Sequence, residues 1–496
     1  MKQVYNPYLP LHEYIPDCEP HVFGDRVYVY GSHDKEGGHT FCMLDYVGYS
    51  APVTDLTDWR YEGVIYRASQ DPDYGKRNYM YAPDVVQGND GRYYLYYCMS
   101  GEYGVGGYHG PIQVAVCDTP AGQYEYLGSV HHADGAPMLD YVCFDPAVMN
   151  DDGVIRLYYG TQYPYEEEED FLQNEKHIQS EMEMFNKSRE EILGTPESVM
   201  GPVMLVLEDD MVTVKEPARH IIPYRTKGTS FEEHPFFEGS SIRKVGNTYY
   251  FIYSSLQNHE LCYATSKYPD REFTFGGTIV SNGDVGLNGR TTEDRLNMTG
   301  TTHGSIEEIN GQWYVFYHRL THKSDYSRQG CAEPITIDEQ GRIEQVPVTS
   351  CGLNQGPLVA EGSYPAVIAC NLTNGHMPHG SNKRFEEHFP HVTNCGEERY
   401  IDEIQDGTWI GYKYFDFKGK TTLQLKVRAQ SDGMIEVFQD MEAPPLATLH
   451  VPQSEDWTMV TGEVPFTKEI SPLYLRYFGE KEMSLMEISL LTAASC

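Results

Sequence analysis

Five copies of one phrase, a turn followed by an aromatic strand, constrain the fold of this chain more than any other feature. They read GDRVYVYGS from Gly24, NDGRYYLYYC from Asn89, DDGVIRLYYG from Asp151, VGNTYYFIYSS from Val245 and INGQWYVFYHR from Ile309. Each joins a Gly, Asp or Asn turn to a strand-forming run, as a β-hairpin does. A repeat of this size that is built from hairpins predicts a β-propeller with five blades.

The spacing of the copies also predicts an insertion. Turn residues Asp25, Asp90, Asp152, Gly246 and Gly311 lie 65, 62, 94 and 65 residues apart. The long interval contains a charged stretch from Glu166 to Glu191, rich in helix formers, in which Phe171, Ile178, Met182 and Phe185 form an apolar stripe. We predict a helical insertion at about 165–193. It is a solvated decoration, a substrate lid or a dimer contact.

The rest of the chain predicts a second domain. After the polar stretch from Asn371 to Lys383, which has the composition of a linker, about seven strand-like segments follow without a helical period. The fold class is therefore all-β, with a five-bladed propeller at 1–370 and a β-sandwich of the jelly-roll type at 384–496. Trp409, in the middle of a strand, serves either as core or as a sugar platform.

Charge excludes some partners. The chain has 496 residues, of which 37 are basic and 73 acidic, for a formal net charge of −36. Nucleic acid and anionic membranes need a basic surface, so neither is expected as a partner. There is no secretory signal pattern, no apolar run of 18 residues and no paired spacing among the 11 cysteines. We expect a cytoplasmic protein with reduced cysteines; its oligomeric state stays open.

One ionisable residue lies just before each repeated hairpin. These residues are Asp17, Asp84, Asp145, Glu238 and His303, six to eight positions ahead of the turn residue. The first strand of a blade begins near the propeller axis, so we expect the five side chains to converge. Carboxylates held together have unequal pKa values, and glycosidic cleavage requires such an acid and base. A Ca²⁺ or Zn²⁺ site is the competing interpretation.

The phrases around these residues resemble glycoside hydrolase family 43 over about residues 5 to 350. They are PDCEPHVFGDRVYVYGSHD with Asp17, YAPDVV with Asp84, FDPAVMNDDG with Asp145, FFEGSSI with Glu238 and THGSIEEINGQWYVFYHR with His303. The family is built on a five-bladed propeller. The second domain resembles, more loosely, the family 6 carbohydrate-binding module, through DGTWIGYKYFDF and LYLRYFG.

This resemblance implies roles for the residues. Asp17 is the expected general base, Glu238 the general acid and Asp145 the residue that tunes the pKa of that acid. The chemistry requires no cofactor, and the one candidate ion is a structural Ca²⁺ held through waters near His303. The usual Asp-Pro of the base phrase is Asp17-Cys18 here, so the backbone beside the base is expected to differ.

Three further residues are candidates for substrate binding. They are Tyr81 and Asp84 in the YAPDVV phrase and Arg319 in the fifth repeat. Asp84 either contacts the sugar or holds its loop. Arg319 either donates to sugar hydroxyls or forms a structural ion pair.

The resemblance implies an exo-acting, inverting hydrolase that releases terminal pentoses from hemicellulose-derived oligosaccharides. The activity is that of an α-L-arabinofuranosidase, a β-D-xylosidase or both. Two alternatives remain at this point: a propeller that binds sugar without catalysis, and a phosphorolytic enzyme of the same fold.

Overall fold

The computed structural model of the protein describes residues 2–101, 107–162, 175–194, 197–379 and 387–492. Its N-terminal part is built from consecutive antiparallel sheets, each formed by strands in chain order. The first sheet has β1 to β4 (Glu19–Phe23, Arg26–Tyr30, Tyr46–Pro52, Arg60–Tyr66). The second has β5 to β8 (Tyr79–Gln87, Tyr93–Ser100, Gln113–Cys117, Glu125–Ser129).

Three more sheets follow the same plan. The third has β9 to β12 (Ala147–Asp151, Val154–Tyr159, Val203–Leu207, Val214–His220). The fourth has β13 to β16 (Phe236–Val245, Thr248–Ser255, Glu260–Ser266, Thr274–Ser281). The fifth has β17 to β19 (Ser305–Ile309, Gln312–Leu320, Arg328–Ile335). Each predicted hairpin joins the first and second strands of one sheet.

The first strands of these sheets surround an axis. Strand β1 contacts β5, β5 contacts β9, β9 contacts β13, β13 contacts β17, and β17 returns to β1. This closed cycle is the arrangement of propeller blades, and it brings the start of every sheet to one place. The prediction of an all-β propeller is therefore confirmed.

The N-terminal segment closes the ring by lying along β19. The side-chain amide of Asn6 donates to the Ala332 carbonyl (2.9 Å), and its oxygen accepts from the Ala332 amide (3.0 Å). The same amide also donates to Glu333 and to the Thr349 carbonyl. Asn6 thus supplies a strand-like contact where the fifth sheet has only three strands.

The C-terminal part contains two further sheets, as expected for a β-sandwich. One has the order β20-β25-β30-β27-β28, with β22 on β25 (Leu358–Val359, Trp409–Asp416, Ile470–Gly479, Gly433–Phe438, Ala447–Val451; β22 Asn371–Thr373). The other has the order β23-β24-β31-β26-β29, with β21 on β31 (His391–Cys395, Glu398–Ile404, Met483–Thr492, Lys420–Ala429, Ser454–Pro465; β21 Gly362–Pro365). A single apolar core fills the space between them.

The sandwich begins earlier in the chain than the polar composition of residues 371–383 predicts. Strands β20 and β21 precede the polar stretch that was predicted to be a linker, and β22 forms its first three residues, yet all three strands pair with β25 or β31. The ring of Trp409 is half-buried, 4.9 Å from that of Phe438.

The predicted insertion is helical where the structure describes it. Helix α1 (Glu175–Phe185) and helix α2 (Arg189–Leu193) follow strand β10, and Phe171 lies outside the described residues. Ile178, Phe185 and Ile192 are buried. Short 3-10 helices occupy Ala68–Gln70, Leu287–Gly289, Thr292–Asp294 and Ala366–Ile368. No helix among the described residues could cross a membrane, and the ten cysteines described form no disulfide.

We expect Asn6→Ala to lower the free energy of unfolding by about 1–3 kcal/mol, because it leaves the backbone groups of Ala332 without their partners. Urea unfolding of the full chain measures this change. Asn89→Ala is the matched control, since Asn89 makes its hydrogen bonds on an exposed turn. If both variants unfold at the urea concentration of the wild type, the segment around Asn6 does not close the ring.

Candidate active site

Four of the five ionisable residues meet at the start of the inner strands. Asp17, Asp145 and His303 each lie two residues before a first strand, and Glu238 is the third residue of β13. Nδ1 of His303 is 3.8 Å from Oδ1 of Asp17 and 3.8 Å from Oδ2 of Asp145. The amide of Gly239, which follows Glu238, donates to Oδ2 of Asp145 (3.1 Å).

The backbone is strained at two of these positions. Asp17 has φ 58° and Asp145 has φ 45°, in the left-handed region that side chains other than glycine seldom adopt. Aspartate tolerates this region better than β-branched residues do. Strain of this kind is concentrated at functional sites, and here it lies just ahead of the strands β1 and β9.

Arg328, at the start of β19, holds the carboxylate of Asp17. Its Nη1 atom lies 2.9 Å from Oδ1 and 3.1 Å from Oδ2 of Asp17. Its Nε and Nη2 atoms donate to the two oxygens of Asp34, at 2.8 and 3.0 Å. The ring of Phe41 lies 4.8 Å from the guanidinium carbon. Arg328 is therefore fixed by two carboxylates and an aromatic face.

His318 is the second partner of Asp17. Its Nδ1 atom accepts from the backbone amide of Asp17 at 3.4 Å and lies 3.3 Å from Oδ1 of the same residue, and its Nε2 atom lies 2.9 Å from the Thr301 carbonyl oxygen. Since a carbonyl only accepts, Nε2 is the protonated nitrogen at that end of the ring. The ring is completely buried.

These contacts keep Asp17 ionised. Burial by itself disfavours the charged carboxylate, but the Arg328 guanidinium holds the pKa of Asp17 well below its usual range. Burial lowers the pKa of His303 to about 4, so this ring is neutral at neutral pH.

Glu238, in contrast to Asp17, has a raised pKa. Burial, followed by the negative charge of Asp17, raises the pKa of Glu238 to about 8. Burial and the charges of Glu238 and Asp17 also raise the pKa of Asp145. Negative charge on one member of this pair favours a proton on the other, and the Gly239 amide stabilises charge on Asp145. The site thus combines an ionised and a protonated carboxyl group, as acid–base catalysis requires.

An aromatic wall lies beside the carboxylates; it consists of Phe41, Tyr81, Tyr108, Phe144 and Tyr326. Tyr108 meets Tyr81 and Phe144 edge-on, with ring centres 5.2 and 5.0 Å apart. Phe185, the last residue of α1, packs 6.3 Å from Tyr108. The inner side of the helical insertion therefore rests on the wall of the site.

Two of the predicted substrate contacts are used within the protein. The oxygens of Asp84 accept from the backbone amides of Val85 and Val148, and Oδ1 is 2.6 Å from Nε2 of His21. Arg319 donates to the carbonyls of Val367 and Ala369, at 2.6 and 2.9 Å. These positions favour structural roles for both residues. Tyr81 belongs to the aromatic wall, and its contact with sugar stays a prediction.

The residues that sequence reasoning missed are Arg328, His318 and Asp34. His318 and Asp34 lie in phrases already quoted, YHR and YGSHD, but neither phrase distinguishes a site residue from a strand residue. Arg328 has no local signal at all, since its partners are 311 and 294 residues away in the chain.

Cys18, which stands where the usual phrase has proline, is packed within the protein. Its thiol donates to the Ile15 carbonyl and accepts from the Tyr8 hydroxyl, each at 3.2 Å. Burial raises the pKa of this thiol to about 12, so Cys18 is a packed, unreactive neighbour of Asp17.

The expected calcium position fits through water rather than by direct ligation. Nε2 of His303 is buried and has no partner, and a neutral ring nitrogen can bond to a water molecule of a hydrated cation. Two other described groups have the composition of a metal site: Glu19 with His21 and Asp84, and His234 with Glu260 and Cys262. Arg243 already neutralises Glu19 at 3.1 Å.

A family model described as Glycosyl hydrolases family 43 matches residues 21–343, and thus begins just after Asp17. A xylosidase/arabinosidase of Thermoclostridium stercorarium is 44% identical over 507 residues, covering 99% of each chain. Xylosidase/arabinosidase 43A of Humicola insolens is 30% identical and covers 66% of this chain and 96% of its own.

Solved structures share the propeller. A GH43_1 enzyme from Xanthomonas citri, in complex with xylose, superposes with a TM-score of 0.52 at 26% identity, covering 70% of this chain and 94% of that chain. A GH43 β-xylosidase/α-arabinofuranosidase from a compost metagenome, in complex with xylotriose, has a TM-score of 0.50 at 26% identity, over 68% of this chain and 96% of that chain.

Glu238→Gln and Asp17→Asn should separate the two carboxyl groups. Activity of the wild type should be lost as the pH rises through about 8, where Glu238 ionises, and at acidic pH as Asp17 is protonated. Glu238→Gln should remove the alkaline limb of kcat/KM. It should slow the hydrolysis of substrates with poor leaving groups by about 10²–10⁴-fold, and the hydrolysis of nitrophenyl substrates by less. Asp17→Asn should slow both substrate types alike. The opposite pattern of leaving-group dependence would exchange the two roles.

Arg328→Lys should move the acidic limb of kcat/KM to higher pH. Lysine keeps the charge but cannot bond to Asp17 and Asp34 together, so the carboxylate of Asp17 is less stabilised. Because the pKa of Asp17 in the wild type lies well below its usual range, steady-state rates between pH 3 and 7 should show an acidic limb in Arg328→Lys that the wild type lacks. Arg342→Lys, which alters an exposed pair with Asp338, is the control. An acidic limb that stays at the wild-type pH would show that Arg328 does not set the pKa of Asp17.

Proposed function

Because the chain belongs to glycosyl hydrolases family 43, we propose that it is an exo-acting, inverting glycosidase that releases terminal pentoses from hemicellulose-derived oligosaccharides. The observation that supports this most directly is the convergence of Asp17, Asp145, Glu238 and His303 at the start of the inner strands, where Arg328 pairs with Asp17 alone among the three carboxyl groups. The two relatives named xylosidase/arabinosidase support α-L-arabinofuranosides and β-D-xylosides as substrates.

In this mechanism Asp17 is the general base. Its carboxylate takes a proton from a water molecule while the water oxygen attacks the anomeric carbon. Arg328 and His318 orient the carboxylate, so the base is in position before substrate binds. An inverting mechanism requires roughly 6.5–9.5 Å between the carboxyl groups to admit the water.

Glu238 is the general acid. It transfers its proton to the glycosidic oxygen as the bond to the anomeric carbon breaks, and it ends the reaction ionised. Asp145 accepts from the Gly239 amide and, by its charge, keeps the proton on Glu238 before the reaction. Exchange with solvent then restores both carboxyl groups.

The neighbouring residues support a sugar substrate. Aromatic rings such as Tyr81 stack on the C–H faces of a pyranose or furanose, and the tyrosine hydroxyls bond to its OH groups. A calcium ion bound through water near His303 would add positive charge at the axis; we propose a structural role for it. The acid–base steps need only Asp17, Glu238 and their neighbours.

We expect the protein to hydrolyse nitrophenyl α-L-arabinofuranoside and β-D-xyloside but not β-D-galactoside. Proton NMR during turnover should show first the sugar anomer of inverted configuration. Added phosphate should leave the rate and the products unchanged, whereas a phosphorolytic enzyme would produce the sugar phosphate. If the wild type binds xylooligosaccharides but hydrolyses none of these substrates, the protein is a sugar-binding propeller instead.

A further inference from the structure

The hairpin formed by β23 and β24, in the C-terminal sandwich, contacts two loops of the propeller. One is loop 31–45, between β2 and β3; the other is loop 321–327, between β18 and β19. Arg399 of the hairpin bonds to Glu36 of the first loop through two contacts, Nε to Oε1 at 2.9 Å and Nη2 to Oε2 at 2.7 Å.

The hairpin also holds loop 321–327. The backbone amide of His322 donates to the Val392 carbonyl (2.7 Å), and Nε2 of His322 lies 3.1 Å from Oδ1 of Asn394. Lys323 pairs with Glu403 of β24 at 2.5 Å. The two loops are joined to each other by the Gly37 amide, which donates to the Ser327 hydroxyl (3.0 Å).

These loops carry the groups that fix the base. Loop 31–45 contains Asp34 and Phe41, and Arg328 follows loop 321–327 directly. Asp34 is held in turn by the Cys42 amide, which donates to its Oδ1 atom (2.9 Å). A continuous series of contacts therefore runs from Arg399 through Glu36 and Asp34 to Arg328 and Asp17.

The Arg399–Glu36 pair has the geometry of a positioning contact. Its side chains are only 16% and 15% exposed, and the paired fork fixes both direction and distance. The backbone carbonyl of Glu397 also accepts from Nη1 of Arg399 (3.1 Å), so the guanidinium is oriented from its own hairpin. Glu36 lies two residues after Asp34, which leaves little chain in which a displacement could be absorbed.

We propose that Arg399 is a positioning residue of the hydrolase: through Glu36 it sets loop 31–45, and so the Asp34–Arg328 pair that orients the base Asp17. The sandwich is then a part of the catalytic unit rather than an appended module. The proposal rests on the proposed function for its kinetic effect and on the contacts above for its structural effect.

The test compares Arg399→Met, Arg399→Lys and Glu36→Gln with the wild type and with Lys413→Met. Lys413 makes another ion pair between the two parts of the chain, with Asp284 at 2.7 Å, and it is more deeply buried. Lys413→Met should therefore destabilise the protein at least as much, but it touches neither loop.

We expect Arg399→Met and Glu36→Gln to lower kcat by about tenfold with KM changed less than twofold, because loss of orientation at the base slows the reaction rather than sugar binding. Arg399→Lys should lie between them and the wild type. The exchanged pair Arg399→Glu with Glu36→Arg should recover part of kcat. Lys413→Met should keep the kcat of the wild type although its melting temperature falls.

Hydrogen exchange of the peptide that covers loop 31–45 provides a readout independent of activity. It should be faster in Arg399→Met and Glu36→Gln than in Lys413→Met. Unchanged kcat and unchanged exchange in these variants would overturn the proposal while the hydrolase assignment stands. Faster exchange in a protein whose wild type hydrolyses no pentoside would refute the proposed function and keep the structural coupling.

Discussion

The buried guanidinium of Arg328, between Asp17 and Asp34, is the interaction on which the rest of the site depends. A carboxylate as deeply buried as Asp17 would otherwise be protonated, because removal from water strongly disfavours the charged form. Arg328 supplies the compensating charge in fixed geometry, and Asp34 and Phe41 hold it there. One arginine thus determines that the axis of the propeller carries an ionised carboxylate.

Burial of Glu238, in contrast to that of Asp17, favours the protonated form of the carboxyl group. Asp17 is paired with a cation, whereas Glu238 meets an aromatic wall and the negative charge of its neighbour. Two carboxyl groups in one low-dielectric site therefore differ in protonation because only one has a cation in contact. The helical insertion adds to the wall beside Glu238, since Phe185 of α1 packs against Tyr108.

The propeller and its convergent carboxylates could be predicted from the sequence because both depend on local, repeated signals. A turn glycine and an alternating strand are recognised within ten residues, and Asp17, Asp145, Glu238 and His303 stand at constant distances from them. The pairing of Arg328 with Asp17 has no such signal, since its two ends lie in the first and last blades. Arg319 was predicted to bind substrate because of its place in the repeat, yet its guanidinium donates to backbone carbonyls between β21 and β22.

Because the N-terminal segment closes the ring, residues of the site that contact each other are synthesised at opposite ends of the chain. The ribosome makes Asn6 and Asp17 first, but Ala332, Arg328 and Arg399 only much later. A nascent chain cannot bury ionised Asp17 at the axis before the last blade has emerged, because Arg328, which pairs with Asp17, has not yet been synthesised. In an incomplete chain Asp17 therefore lacks Arg328, so the contacts of the site form only after the last blade has been synthesised.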